Sequence, residues 1–406
     1  VIFLCKGSLK NHVYERFLTN GRIPVTSGQN AFYPLEPAYL LLSFSNHILK
    51  MKNLIIKFVT HRTYQRLIIK TGNCLMHKVL LLFSGIIFLS NASFAQIRID
   101  TSAYVKNNKQ LYAVVVSQNE KVVFSQYFNG KTDTELYNNQ SLTKSVMSLL
   151  IGIAIDKGYI ASVEQKIAIF FPQLKGDTDK RKQDITIRQI MNQASGLWHE
   201  DTRNMHQYLS LTSPSDYVLQ QALVSEPGKA FQYSNAATHL LSVILTKATG
   251  MTTLEFAEKY LFGPMGIKNV QWGKMADGYY DGSGLLSVQL SNNDMNKIGS
   301  LLLHKGYYNH KSIVPEKWIA EILNPAISYK TPWGFDGSSY ALCWYHHTYN
   351  NTPVTYGLGW GGQHVFVIPG KKAVISVNQS INDATAIKAE NLFLNKIFPL
   401  IYQQLK

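Results

Sequence analysis

Ser141 and Lys144 stand three residues apart in Ser141-Leu142-Thr143-Lys144, the one Ser-x-x-Lys string in the 406-residue sequence. On a helix that spacing puts the hydroxyl and the ammonium on one face. A serine hydroxyl becomes an effective nucleophile when a neighbour takes its proton, and a desolvated lysine can do so. A helix N-terminus also aims free backbone N–H groups at a reacting oxygen. Alone, the string equally describes an exposed N-cap serine beside a surface lysine. Two later segments supply what is missing. Tyr233-Ser234-Asn235 follows the turn Glu226-Pro227-Gly228 and precedes a helical pattern, so Tyr233 can project towards Ser141. A tyrosine acts as a base only where a cation holds its phenolate, a role open to Lys144. Tyr-x-Asn strings also begin at Tyr137 and Tyr349. The first is too close to the serine in sequence to form a separate wall of a site, and the second falls in a polar loop. A buried structural tyrosine is the plainer alternative for Tyr233. Gly359-Trp360-Gly361-Gly362-Gln363 is the third segment. Its glycines let a backbone edge approach a substrate. An N–H there would complete an oxyanion hole opposite the N–H of Ser141, unless the segment is only a hairpin turn.

The elements that must position these residues follow from hydrophobic period. Residues 111–116 and 121–128 are strand-like runs about a polar turn and predict a hairpin. A helix is predicted over 141–157, with Val146, Leu149, Leu150 and Ile153 on one stripe and Gly158 as its stop. Residues of about 160–324 read as mostly helical, most clearly at 185–193 and 236–249. After Pro325 the pattern returns to strands at 340–345, 364–368 and 373–378, and a last helix is predicted over about 383–398. Strands at both ends and helices between them predict an α+β fold. Its antiparallel sheet is assembled from N- and C-terminal segments, flanked by helices, and carries an inserted helical subdomain.

The formal charge of +15 suggests a nucleic-acid partner until its distribution is examined. Residues 1–95 carry a net +9 and residues 96–406 only +6, without a basic stripe interleaved with aromatics. No nucleic-acid partner is expected. Cys343 is the single cysteine after residue 95, so no disulfide is expected there, and no Cys/His cluster has zinc spacing. Met76-His77-Lys78, an apolar run over 79–89, and small Ser93 and Ala95 read as a secretory signal over 76–95, with an uncleaved N-terminal anchor starting at Met51 or Met76 as the alternative. The run is shorter than the roughly 20 residues of a membrane span. Residues 1–75 then read as a non-native extension, 96–406 as the exported domain, periplasmic or extracellular, with no stable membrane anchor after cleavage.

In this order the three segments resemble the serine β-lactamase and penicillin-binding-protein-like superfamily. The likeness is greatest to its class C-related hydrolases: esterases, D-aminopeptidases and 6-aminohexanoate-dimer hydrolases. Asp184-Ile185-Thr186-Ile187-Arg188 through Ser195-Gly196-Leu197, the approach Pro227-Gly228-Lys229-Ala230-Phe231-Gln232 to Tyr233, and Asp281-Gly282-Ser283-Gly284-Leu285-Leu286-Ser287 resemble it too. The resemblance spans roughly residues 105–400. It implies a β-lactamase-like fold and hydrolysis of a small ester or amide through an acyl-enzyme on Ser141, with Lys144 and Tyr233 moving protons. It further implies that Asn235 orients substrate and Lys144, that the N–H groups of Ser141 and Gln363 hold the oxyanion, and that Trp360 lines the pocket beside Gly361 and Gly362. It implies no cofactor and no metal. Where β-lactamases carry Lys-Thr-Gly or His-x-Gly, Trp360-Gly361-Gly362 stands here, and tryptophan offers no cation to a β-lactam carboxylate. A class C-type β-lactamase or D-peptidase, and a penicillin-binding sensor that is acylated without turnover, are the alternative functions.

Overall fold

A computed structural model describes residues 109–406, apart from residues 202, 330–332 and 383. The expected extension over 1–75, the signal over 76–95 and the mature start at Gln96 lie outside the described residues.

Strands β1 (Leu111–Gln118) and β2 (Lys121–Tyr127) form the expected hairpin. Asn119 and Glu120 join them with φ of 50° and 65°, the mirror-image turn whose twist suits paired strands. Strand β3 (Tyr137–Asn138) leads into helix α1 (Leu142–Asp156), where every residue from Leu142 to Ala154 is buried. A helix apolar on nearly all sides belongs inside a domain. Gly152 helps it do so, because a Cβ there would lie 2.2 Å from the Trp318 ring. Gly158, at φ 75°, follows the end of the helix as predicted.

The regular elements of the central part of the chain are mostly helices. They include α2 (Ile187–Met191), α3 (Pro214–Gln220), α4 (Asn235–Thr249) and α5 (Asn292–Leu303). Strands β4 (Gln271–Trp272) and β5 (Val288–Leu290) join β3 in a small sheet of order β3-β5-β4. A short hairpin of β6 (Tyr307–Tyr308) and β7 (Lys311–Ser312) follows. The chain then returns to the main sheet through β8 (Ile327–Ser328), β9 (Ser339–Ala341), β10 (Trp344–Tyr349), β11 (Thr352–Gly359), β12 (Gln363–Ile368) and β13 (Ala373–Gln379). Its order is β2-β1-β13-β12-β11-β10-β9-β8, antiparallel throughout. Pairing of β1 with β13 closes the N-terminal hairpin onto the last strand, the α+β assembly read from the sequence. Helices α6 (Ala386–Leu392) and α7 (Phe398–Gln404) end the chain.

The sheet is covered on both faces, and strand alternation divides its side chains. Val365 and Val367 pack with α1 and the helical insertion, whereas Phe366 and Ile368 pack with Phe393, Phe398 and Ile401 of the C-terminal segment.

Three local expectations change. Residues 340–345 hold a hairpin rather than one strand, turned by Leu342 and Cys343 at φ 45° and 69°. Tyr349, expected in a polar loop, is the last residue of β10 and pairs with Thr352 at the start of β11. The last helix is divided by a π-helical turn over Phe393–Ile397, and Pro399 stands in the first turn of the piece that follows. Proline lacks the N–H that an unbroken helix would need there.

Candidate active site

The turn ahead of α1 is built around Gln140, which sits in the left-handed region at φ 50°. Asn138 Oδ1 holds it, accepting from the Gln140 backbone N–H (3.2 Å) and side-chain Nε2 (2.7 Å). Ser141 therefore enters the helix with its side chain free of any capping bond. Gly284 lies over this turn: a Cβ there would meet Gln140 O at 2.3 Å and Ser141 N at 2.7 Å. Its φ of 102° also disfavours any side chain.

Lys144 is 2% exposed. Its Nζ donates to Asn235 Oδ1 (2.5 Å), Ser283 O (2.5 Å) and Ser141 Oγ (3.2 Å). The first two acceptors fix two of the nitrogen's N–H directions. The third position faces the Ser141 hydroxyl, as a donated proton in the ammonium and as a lone pair in the neutral amine. The Tyr233 ring lies beside the same nitrogen, its centroid 4.6 Å from Nζ. Gln193 brackets that tyrosine, because its backbone oxygen accepts from Gln232 N (2.6 Å) and its side-chain oxygen from Ser234 N (2.7 Å). Tyr137 instead donates its hydroxyl to Thr132 O, and Tyr349 packs against Phe398 and Tyr402.

Glu200 joins the site without a motif to mark it in the sequence. It is 6% exposed, and its carboxylate accepts from Asn235 N (2.9 Å), Asn235 Nδ2 (2.5 Å) and Ala236 N (2.9 Å). An anion at a helix N-terminus is favourable, and α4 begins at Asn235. Glu200 thereby turns the Asn235 amide so that its oxygen, not its nitrogen, meets Lys144.

The third segment is displaced from its expected place. A Cβ at Gly357 would lie 2.4 Å from Leu142 Cδ2 and 2.9 Å from Ser145 Oγ, and one at Gly359 would lie 2.2 Å from Asn139 O. Strand β11 thus touches the Ser141 helix and the turn ahead of it at Gly357 and Gly359. The pseudo-Cβ positions of Gly361 and Gly362 point instead at Ser380 O (2.6 Å) and Gln379 Nε2 (2.1 Å). Gln363 is wholly buried and pairs with Gly359 across the hairpin. Its side chain accepts from Asn378 Nδ2 (3.0 Å) and donates to Gln379 O (2.8 Å). Trp360, which follows Gly359, is half-buried. The close backbone approach expected of Trp360-Gly361-Gly362 is made three residues earlier, within Gly357-Leu358-Gly359. The segment is a hairpin turn and a close backbone approach at once.

The Beta-lactamase family model matches residues 110–392. The chain belongs to the Beta-lactamase family. It is 29% identical over 143 residues to Penicillin-binding protein 4* of Bacillus subtilis (strain 168), covering 34% of this chain and 30% of that protein. It is 22% identical over 283 residues to the 6-aminohexanoate-dimer hydrolase of Paenarthrobacter ureafaciens, covering 65% and 71% of the two chains. The chain spans about a third of the length of the first curated relatives it matches. The octameric penicillin-binding protein homologue from Pyrococcus abyssi shares the fold, with TM-score 0.56 at 19% identity over 75% of this chain and 78% of that one.

Behind the site of this β-lactamase-family chain lies a buried charge cluster. Asp281 accepts from Ser283 N (2.8 Å), Ser283 Oγ (2.6 Å), Gly284 N (2.9 Å) and Leu286 N (2.7 Å). These bonds shape the turn that presents Ser283 O to Lys144. Fully buried His239 lies between Asp277 (3.1 Å from Nε2) and Asp281 (3.6 Å from Nδ1). Burial opposes its charge, but the two carboxylates outweigh burial and push the imidazole up to about 9. Burial likewise opposes the Asp281 charge, yet His239 and the Ser283 and backbone donors hold that carboxyl down at about 2. The stability from Asp281 is therefore present above its ordinary 3.8 and lost as pH falls towards about 2. That from His239 is complete below its ordinary 6.5 and lost as pH rises through about 9. Melting temperature should fall on the alkaline side in this window. His239→Gln, though less stable throughout, should lose that part of the slope. An unchanged alkaline slope in the variant would refute the assignment.

Proposed function

We propose that the chain hydrolyses a small ester or amide through a covalent acyl-enzyme on Ser141. The observation that carries this reading is Lys144 Nζ, 3.2 Å from Ser141 Oγ and held there by two other acceptors. In the proposed reaction Ser141 Oγ attacks the carbonyl carbon as its proton passes to Lys144. The oxyanion is held by the N–H of Ser141 and the peptide N–H at Trp360. Tyr233, beside Lys144, delivers a proton to the departing alcohol or amine. Water then attacks the acyl-enzyme and gives a proton to the same pair; the bond from Ser141 Oγ to the acyl carbon breaks, the acid departs, and Lys144 returns the proton to Ser141 Oγ. Membership of a generally hydrolytic family supports the reaction type, and the likeness to an amide hydrolase supports the substrate class. Export, directed by residues 76–95, belongs to the same proposal. Mass spectrometry of the secreted protein should find Gln96 as its first residue, and a start upstream of Met76 would refute it.

Substrate preference follows from β11. The two positions that face the nucleophile's helix and turn are Gly357 and Gly359, so this strand offers no cation there to a β-lactam carboxylate. A carboxylate buried without a paired cation is costly, and a lost hydrogen bond to a charged group is worth about 1.5–3 kcal/mol. At about 1.4 kcal/mol per decade that corresponds to roughly 10- to 150-fold in kcat/KM. A panel of short-chain esters, D-amino-acid amides and cephalosporins should show esters or small amides ahead by at least this factor. Efficient cephalosporin turnover would reverse the substrate assignment. A single acylation burst on every substrate would replace hydrolase with sensor.

A further inference from the structure

Glu390, on α6, is 1% exposed, far from the usual place of a carboxyl group. Its Oε1 accepts the Gly334 N–H at 2.7 Å, and its Oε2 has no partner among the described residues. An unsatisfied buried oxygen is costly enough that it needs a reason. Two neighbours give one. A Cβ at Gly362 would lie 3.3 Å from Glu390 Cα, so α6 packs onto the turn that follows Trp360. On its other side, Gly334 is flanked by Trp333, whose ring meets Tyr233 edge to face at 5.6 Å and 71°. Phe335, next along, donates its N–H to Tyr356 Oη at 3.1 Å. One buried carboxyl therefore stands behind both segments that flank the proposed reaction centre.

We propose that Glu390 is a positioning residue, a neutral carboxylic acid that anchors Gly334 and so seats the Trp333 ring against Tyr233. This rests on the reading that Tyr233 takes part in hydrolysis. Its physical content is the edge-to-face contact, which restricts the Tyr233 ring and walls the site with an apolar surface suited to an apolar acyl or alkoxy group.

The surroundings support the neutral form. Burial raises the carboxyl to about 7, against the lowering effect of the Gly334 N–H. The titratable groups facing it are the Tyr356 and Tyr329 phenols, both raised chiefly by burial and so uncharged. His364, stacked on Phe393 at 6.1 Å, is pulled down to about 3 by burial and is uncharged too. His347, stacked on Phe335, is lowered by burial. Among the described residues, burial and the Gly334 N–H are the influences on Glu390, and no cation is among them. With the folded value raised, its contribution is complete below the ordinary 4.5 and lost as pH rises through about 7. Ionisation draws water between α6 and the Gly334 segment and releases Trp333 from Tyr233.

The test uses the full chain as wild type, Glu390→Gln, Glu390→Ala and Trp333→Phe, read by tryptophan emission and by kcat and KM across pH. Glutamine keeps an acceptor for Gly334 N–H but cannot ionise. Wild type should show an emission change near pH 7 that Trp333→Phe lacks, with kcat falling over the same interval and KM changing less. Glu390→Gln should keep the acid-side emission and kcat through that interval, and Glu390→Ala should lose kcat at every pH. A transition that persists in Glu390→Gln, or its absence from wild type, overturns the proposal. Emission is independent of turnover, so a protein that hydrolyses nothing and is not acylated at Ser141 would defeat the functional reading while leaving this test intact.

Discussion

Ser141→Ala should abolish ester and amide turnover, with a loss in kcat of the order of 10⁴–10⁶, the scale on which serine hydrolases lose rate with their nucleophile. The substitution removes one acceptor of Lys144 Nζ and leaves its two tight acceptors, Asn235 Oδ1 and Ser283 O. The cost to stability is therefore about 1 kcal/mol, that of an ordinary hydrogen bond. Kinetics and folding separate cleanly for that reason. A fluorophosphonate probe should label wild type and not the variant, while both unfold over nearly the same temperature range. Retention of more than about a tenth of wild-type turnover would mean a barrier change below about 1.4 kcal/mol, too little for the attacking group. Another nucleophile would then have to be sought.

The parts of the site legible from the sequence were those with local spacing. Ser141 and Lys144 meet because three residues on a helix is a contact distance, and Tyr233 stands out because a turn delivers it into a helix start. Glu200 left no comparable sign. It precedes Asn235 by 35 residues and acts on a helix N-terminus that only tertiary folding brings to it. The register of the third segment was lost for a related reason. Gly357, Gly359, Gly361 and Gly362 look alike in a string. Only packing tells which pair faces Leu142 and Asn139 and which faces Gln379 and Ser380. Strand β11 carries Pro353 and two glycines, residues depleted from strands, and is recovered by its pairing with β10 and β12. The Leu342–Cys343 turn lacks the Asn-Gly chemistry that normally marks such a hairpin. The sheet order was legible in outline, because hydrophobic strands at the two ends of a mostly helical sequence have few partners except one another.

Lys144→Ala and Tyr233→Phe should each lower kcat by about 10²–10⁴, the usual contribution of a positioned acid–base group, while the protein stays folded. The two variants probe different parts of one arrangement. Alanine at position 144 leaves Asn235 Oδ1 and Ser283 O without their common donor, so some stability is lost together with the rate. Phenylalanine at position 233 keeps the ring that lies 4.6 Å from Lys144 Nζ and 5.6 Å from Trp333, and removes only the hydroxyl. Its effect should fall on kcat with KM little changed, since proton delivery is needed in the transition state and not in the bound complex. Amides should suffer more than activated esters, because a departing amine must be protonated whereas a good alkoxide leaving group need not be. Tyr349→Phe is the control, its ring being packed against Phe398 and Tyr402. An inactive Tyr349→Phe beside a fully active Tyr233→Phe would transfer the proton-shuttle role away from Tyr233. Equal losses on amides and activated esters would leave Tyr233 in the site but assign it to orienting Lys144 rather than to protonating the leaving group.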